Sequence, residues 1–335
     1  VSIQSLVYVQ PGKVEWREAP TPRLQGAGEA LVEPVSSSRC DFDRFIVSGG
    51  TPFDGPFAIG HEALVRVVEC GDAVRGFAPG DLASIPPTIS CGECRRCQRG
   101  LNAYCSRVPP ASAFGVGAGF GGLYDDLVRV PYADAMLVPV PAGLNPADLA
   151  AAGDSTSMGH TIMSAAHTRG AKRVMVLGGG EHGLFQVAFA HLLLDPEVLV
   201  YIDTDAERRR TAHELGATSV HDSPPGSSVG PLDLLVDAAC NRDWLHQTIL
   251  LVEPDGVVEC TGGYFGDLAL PSFPMYVAGT QIRFGQANTL AHIGPTLEVI
   301  ASGRLKPSAV WANHVSWSEL PAAYVEQSGK LIATR

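Results

Sequence analysis

Four cysteines stand at C-x2-C-x2-C-x7-C in CGECRRCQRGLNAYC: Cys91, Cys94, Cys97 and Cys105. Steps this short let one loop close round a single tetrahedral ion. Zinc is the natural candidate, because Zn2+ accepts four thiolates and demands no redox change. Four free or paired thiols are the competing reading. A second possible metal set lies upstream, formed by Cys40 and by His61 in IGHEALV. Downstream, Gly178, Gly180 and Gly183 form G-x-G-x-x-G. Two zinc signatures ahead of a dinucleotide fingerprint point to a metal-assisted redox enzyme.

The glycines directly follow the strand-like run RVMVL and precede a helical run. The first allows a tight turn. The second lets backbone approach a pyrophosphate, and the third lets helix and strand pack closely. The phosphates then sit at a helix N-terminus, where unpaired N–H groups and the dipole favour an anion. Asp203 ends the next strand-like run, EVLVYIDTD. A carboxylate there accepts hydrogen bonds from the adenosine ribose and repels a 2′-phosphate, so NAD is expected over NADP. Glu181, an anion inside the phosphate turn, is expected to point away from it. His182 either donates to a phosphate or is solvated. An ordinary βαβ turn is the bland alternative for the whole motif.

These residues need elements to hold them. The first 35 or so residues alternate apolar and polar in SLVYVQPGKVEWREAP and EALVEPV, as short strands with Pro/Gly turns do. Strand-like runs continue through ALVRVVECG, DLASIPP, DLVRVP and AMLVPVP, with a helical stretch only near DFDRFIV. This part reads as an irregular β domain. From Asn145 the pattern changes, and NPADLAAAGDSTSMGHTIMSAAH opens on an Asn-Pro helix start. Strands and helices then alternate, which predicts an α/β fold with a parallel, doubly wound sheet. SPPGSSVGP, residues 223–231, reads as a surface loop within it.

At 335 residues the chain is long for one domain, and two are expected. With 45% hydrophobic and 18% charged residues it can bury a sizeable core. A net charge of −11 argues against a nucleic-acid partner, despite Arg95, Arg96 and Arg99 in the cysteine loop. No charged-then-apolar leader opens the chain, and no apolar run reaches membrane length. The expectation is an acidic cytoplasmic enzyme without a membrane partner. A chain of this size needs no disulfide staples, and the clustering of half its 8 cysteines favours metal.

Taken in order, these features resemble the zinc-dependent alcohol dehydrogenases of the medium-chain dehydrogenase/reductase family. The resemblance runs over essentially the whole chain. It rests on Cys40 ahead of an Asp, GHE, FAPGDLA, the four-cysteine lobe and the Rossmann fingerprint. It implies an irregular β (GroES-like) catalytic domain over residues 1–148 and 287–335, and a Rossmann domain over 149–286. It implies a catalytic zinc held by Cys40, His61 and one later residue, with Glu62 nearby. In AAAGDSTSMGH that later position is Asp154, whose bland role is a helix N-cap. A catalytic zinc needs three protein ligands and an open position. There it eases loss of an alcohol's proton or polarises a carbonyl. Asp43 is the residue expected to hydrogen-bond the non-ligating nitrogen of His61 and fix its tautomer; a surface carboxylate is its alternative. With the cysteine lobe, the resemblance implies two Zn2+ per chain, NAD, a small-molecule substrate, and a homodimer or homotetramer.

The chain also departs from the family. Members usually read Cys-x-Ser/Thr-Asp at the first ligand, whereas this chain reads Cys40-Asp41-Phe42-Asp43. Many carry His two residues after that Asp, where Phe45 stands. Phenylalanine cannot transfer a proton, so two relay steps are missing. Water, another side chain such as His160 or Ser38, a substrate hydroxyl, or a different reaction stay open as explanations. Val65 replaces a usual glycine, read as a packing change. Cys70, Cys240 and Cys260 are expected as buried small residues, and His292 as a structural histidine. The expected function is hydride transfer between NAD(H) and a secondary alcohol or ketone, a polyol, sugar or cyclitol among them. The second reading is reduction of a C=N or conjugated C=C bond. A non-catalytic cofactor-binding protein is the third, and the Cys40, His61, Asp154 set argues against it.

Overall fold

The alternating N-terminal segments fold as strands, because a period of two puts every second side chain on one face. The computed structural model describes residues 2–117, 119–286, 288–310 and 313–335. In chain order the elements are Ser2–Gln10 (β1), Lys13–Pro20 (β2), Ala30–Arg39 (β3), Asp41–Val47 (α1), Phe57–Ala58 (β4), Glu62–Cys70 (β5), Leu82–Ile85 (β6), Val128–Val130 (β7), Ala133–Met136 (α2), Val138–Pro139 (β8) and Pro146–Leu149 (α3). β1 pairs antiparallel with β2 and β4 in a small sheet. The helix α1 falls on DFDRFIV. Val65, where the family usually has glycine, is buried in a core cluster with Val32, Ala83 and Ile85.

Ser155–Thr168 (α4) opens the alternating part. It continues as Arg173–Leu177 (β9), Gly180–Leu194 (α5), Val198–Ile202 (β10), Ala206–Glu214 (α6), Ser219–His221 (β11), Leu232–Asp237 (β12), Arg242–Thr248 (α7), Val252–Cys260 (β13), Ser272–Ala278 (α8) and Gln281–Phe284 (β14). The sheet runs β11-β10-β9-β12-β13-β14 with every pairing parallel. That order is the doubly wound one. Val174 to Leu177 and Leu199 to Ile202 are wholly buried, as central strands of such a sheet must be. Asp205 and Asn241 cap α6 and α7 by accepting from their first N–H groups.

The chain then returns through Leu290–Ala301 (α9), Asn313–Ser316 (β15), Leu320–Glu326 (α10) and Leu331–Thr334 (β16). These join the first part in a seven-stranded sheet ordered β15-β16-β3-β5-β6-β8, with β7 also on β3. The chain divides into two compact units, Val1–Ser157 with Asn288–Arg335, and Met158–Ala287. The division falls inside α4, so Asp154 lies with the first unit. Among the described residues no helix is long and apolar enough to cross a membrane.

One buried cation ties the returning segment down. Arg39, the last residue of β3, is 1% exposed. Its guanidinium donates to the carbonyls of Ala323 (3.1 Å), Tyr324 (2.6 Å), Gln327 (2.8 Å) and Gly329 (2.6 Å). The last carbonyls of a helix have no partner within it, so Arg39 supplies donors where α10 ends. We expect Arg39→Met to destabilise the first unit by about 2–5 kcal/mol, since charged hydrogen bonds are lost and buried carbonyls are orphaned. Urea unfolding measures the loss. Hydrogen exchange should show protection falling first in residues 320–330; unchanged exchange there would refute the assignment.

Candidate active site

Cys40 directly follows β3 and precedes α1, and its N–H donates to the Asp43 carboxylate at 3.0 Å. His61 immediately precedes β5. Asp154 closes the turn before α4. That turn approaches β6 only because residue 153 is glycine: a Cβ there would lie 1.9 Å from the Ile85 carbonyl oxygen. Ligand-type atoms of Cys40, His61 and Asp154 all lie within 4.8 Å of one another. His61 Nε2 stands 3.5 Å from Asp154 Oδ2, so Asp154 is turned toward the imidazole. His61 Nδ1 stands 3.0 Å from Asp43 Oδ1, and Asp43 is fully buried. The Asp43 carboxylate thus faces Nδ1, the ring nitrogen turned away from Asp154.

Glu62 organises the surroundings. Its Oε2 accepts from Lys330 Nζ at 2.5 Å and from the Ser38 hydroxyl, and its Oε1 accepts from the Ser155 N–H at 3.1 Å. Lys330 also donates to Ser155 Oγ at 3.1 Å. Glu62 and Lys330 side chains are both 0% exposed. Burial works to raise the Glu62 pKa, but Lys330 and then His61 outweigh it and hold the carboxyl below its ordinary range. Each of the three candidate ligands lies within two residues of a member of this hub: Cys40 of Ser38, His61 of Glu62, Asp154 of Ser155. Glu62 thus positions backbone segments. Lys330 and Arg39 were not foreseen from sequence. The only sequence sign of Lys330 is a lone lysine at the entry to the apolar run LIA.

The donor set suits a metal. Sulfur, imidazole nitrogen and carboxylate oxygen together match a divalent ion of borderline softness. Burial, then the Glu62 charge, push the Cys40 thiol up to about 12, so a cation is what would draw its proton away. Phe42 packs against the set, its ring centroid 6.1 Å from that of His61 and 6.3 Å from that of Phe53. Phe45 is instead 43% exposed, its ring filling the space where a side chain on Gly50 would go. Ser38 donates its hydroxyl to Glu62. His160 lies 3.1 Å from Ser164 Oγ, and its ring packs edge-on to Phe189.

The four loop cysteines converge in the same unit. Their sulfurs lie within 4.8 Å of one another, with Cys94 and Cys97 sulfurs 3.5 Å apart. All eight cysteines are free, so the paired-thiol alternative does not hold. Backbone N–H groups of Cys94, Cys97 and Arg107 point at the sulfurs of Cys91, Cys94 and Cys105, at 3.3, 3.5 and 3.4 Å. Such donors stabilise thiolates. Of the remaining cysteines, Cys260 is buried, whereas Cys70 and Cys240 are half-buried.

In the second unit, Gly178, Gly179 and Gly180 have φ of +44°, +84° and +56°, the left-handed region that glycine enters without strain. A Cβ on Gly183 would lie 1.7 Å from the Gly178 carbonyl oxygen, which is the close packing the third glycine permits. The turn leads straight into α5. Asp203 is buried, accepting from the Tyr201 hydroxyl at 2.9 Å and from the Asp205 N–H at 2.9 Å. Arg208 Nη1 lies 3.7 Å from its carboxylate. Glu181 is buried in the first turn of α5. His182 is half-buried, its Nε2 2.9 Å from Thr261 Oγ1, so a solvated side chain is not what the turn holds. Burial pulls His292 below the usual histidine range.

Residues 26–142 match the alcohol dehydrogenase GroES-like domain. The chain is 25% identical over 331 residues to a probable zinc-binding alcohol dehydrogenase of Mycobacterium tuberculosis, across 96% of this chain and 84% of that protein. It is 31% identical over 222 residues to a medium chain reductase/dehydrogenase of Acremonium sp, across 64% of this chain and 74% of that one. Among solved structures it resembles the alcohol dehydrogenase of Thermus sp. ATN1, with a TM-score of 0.89, 27% identity and 99% of each chain covered.

The hub makes its own prediction. Removing one partner of a buried pair leaves an uncompensated charge, at a cost of about 3–5 kcal/mol. Lys330→Met is expected to lower stability by that amount in denaturant titration. The double variant Glu62→Gln with Lys330→Met should lose less than Lys330→Met alone, because the second change removes the stranded charge. Simple additivity of the two losses would contradict the pairing.

Proposed function

We propose, for a chain that belongs to the zinc-dependent alcohol dehydrogenases of the medium-chain dehydrogenase/reductase family, hydride transfer between NAD(H) and a secondary alcohol or its ketone. The observation that carries this reading is the convergence of Cys40, His61 and Asp154 donor atoms within 4.8 Å, with Asp43 behind the imidazole. Zinc at those three residues supplies Lewis acidity toward an alcohol or carbonyl oxygen, and NAD supplies the hydride couple. A second zinc is held by Cys91, Cys94, Cys97 and Cys105 in a closed, structural role.

The chain's own residues do the remaining work. Asp43 keeps the proton on His61 Nδ1 and so leaves Nε2 as the donor atom. Glu62 and Lys330 fix the three segments that carry the ligands. The start of α5 offers free N–H groups to a pyrophosphate. A carboxylate has about four acceptor positions, so Asp203 can still take ribose hydroxyls beyond its bonds from Tyr201 and Asp205. Arg208 beside it softens the repulsion of a 2′-phosphate, which makes the expected preference for NAD a modest one.

Phe42 bears on the substrate. A side chain without a proton-accepting atom rests on His61, where the family usually has a hydroxyl. A polyol, sugar or cyclitol brings its own neighbouring hydroxyl and so suits this site. The same ring favours the second reading, reduction of a C=N or conjugated C=C bond, in which no alcohol proton has to leave. Self-association into a dimer or tetramer is supported by α8, which exposes Phe273, Tyr276 and Val277 by 74%, 82% and 70% next in sequence to the edge strand β14.

Metal analysis tests the central reading. Protein purified without chelator is expected to hold about two zinc ions per chain. Cys40→Ser should remove one together with alcohol oxidation, and Cys97→Ser should remove the other. A zinc count unmoved by Cys40→Ser would overturn the catalytic site.

Phe42→Thr tests the proton argument. General acid–base help is worth about 10²–10⁴-fold, so turnover of a simple secondary alcohol should rise, and that of a polyol should rise less. Equal wild-type rates on both substrates, unchanged by the substitution, would refute it.

A further inference from the structure

We propose that Tyr324 is a positioning residue of the metal site, its hydroxyl serving the Asp43 carboxylate as a donor and so setting the imidazole of His61. The inference rests on the metal reading above and concerns a side chain that reading leaves unused. Tyr324 belongs to α10, in the returning segment. Leu320, Ala323 and Tyr324 are the buried residues of that helix, at the spacing of one apolar face. The helix α1, which carries Asp43, packs against α10.

The ring is held on two sides. The Arg39 guanidinium lies over it, 5.7 Å from its centroid, while donating to the Tyr324 carbonyl at 2.6 Å. Tyr124 meets it edge-on, with centroids 5.4 Å apart. Tyr124 in turn adjoins the metal set. A Cβ on Gly60, the residue before His61, would stand 2.2 Å from Tyr124 Cδ2. Both tyrosines are buried, and they are fixed as a pair beside the residues that aim His61.

A fixed ring leaves its hydroxyl few choices. The Tyr324 oxygen is closed to solvent and has no partner of full hydrogen-bonding geometry among the described residues. An orphaned buried hydroxyl is costly, so its proton turns to the acceptor it faces. That acceptor is Asp43. Burial, then the Asp43 charge, hold the Tyr324 proton on well above the ordinary tyrosine range, and hydrogen bonding to the same carboxylate adds to both. Asp43 has room for it. Its Oδ2 takes the Cys40 N–H at 3.0 Å and its Oδ1 stands 3.0 Å from His61 Nδ1, whereas a carboxylate has about four acceptor positions. Asp43 is also fully buried, so a further donor offsets the cost of its charge. With three donors the carboxylate plane is fixed, and the His61 ring it faces keeps one orientation toward the metal.

Tyr324→Phe keeps the ring and removes the hydroxyl. Zinc release to a chromogenic chelator is followed on the wild type, Tyr324→Phe and Tyr124→Phe, with Cys40→Ser and Cys97→Ser marking which phase belongs to which site. Changing a group directly behind a ligand costs about 10–100-fold in metal affinity, and Tyr324 stands one step further out. The Cys40-dependent phase should therefore quicken about threefold to tenfold in Tyr324→Phe, while the Cys97-dependent phase stays within about twofold. With Co2+ in the catalytic site, the visible bands should shift in Tyr324→Phe and hold in Tyr124→Phe, a signature that loss of packing alone does not give. Equal quickening of both phases would mean that the hydroxyl only supports the fold, and the proposal falls. The same change in Tyr124→Phe as in Tyr324→Phe, or no change in either, also ends it. A wild-type protein with no Cys40-dependent phase overturns the metal reading itself, a result distinct from the others.

Discussion

A carboxylate and an ammonium can share a site closed to water only if their lone pairs and protons find partners. Glu62 and Lys330 meet that demand, and the first unit is arranged around it. Glu62 takes donors from Lys330, Ser38 and Ser155. Those donors come from the return segment, from β3 and from the start of α4. Satisfying one carboxylate therefore joins three stretches of chain that are remote in sequence. Two of them, β3 and the start of α4, adjoin the candidate ligands Cys40 and Asp154, and Glu62 itself adjoins the third, His61. Isolated, such a pair adds little net stability. Its value here is that it admits only one arrangement of the segments.

The same demand explains why the chain returns to its first unit. Lys330 stands 268 positions from Glu62. It arrives because β16 pairs antiparallel with β3, with Leu331 opposite Arg39 and Ile332 opposite Ser38. One further step along that register sets Lys330 opposite Cys40. Ser38 is also opposite Glu62 in the β3–β5 pairing, so the lysine has one strand to cross. Arg39 secures the approach by binding the carbonyls at the end of α10. Two adjacent residues, Arg39 and Cys40, thus fasten the return segment and begin the metal set.

Local patterns were legible in the sequence, and long-range partners were not. The four loop cysteines, the glycine turn and the alternating strands depend on neighbours within a few residues, so spacing alone exposed them. Cys40 and His61 stood out as a second possible metal set, Asp154 came from the resemblance, and the structure brings their donor atoms together. Lys330 and Arg39 were invisible because their roles depend on strand register across the whole chain. Composition marks them only as two more surface-type cations. Phe42 and Phe45 looked equivalent in sequence, yet one turn of helix separates a ring on His61 from a ring on the surface. For His182 the sequence left a phosphate donor and a solvated side chain both open, because its partner, Thr261, lies two strands away.

The hub also bears on how a proton could leave. Where a family hydroxyl would stand, Phe42 offers only a ring edge to His61. Ser38 is two residues from Cys40, but its proton is directed to Glu62. Ser155 adjoins Asp154, but its oxygen accepts from Lys330. Two hydroxyls close to the candidate ligands, those of Ser38 and Ser155, are thus drawn into stabilising the buried pair. Satisfaction of Glu62 fixes the arrangement and at the same moment engages these two side chains, which could otherwise relay a proton. Rigidity and proton transfer compete here for the same oxygen atoms, and in this chain rigidity has taken them. On the proposed alcohol reaction the proton would travel by water or by a group the substrate carries, which ties the proposed preference for a polar substrate to how one buried carboxylate is held.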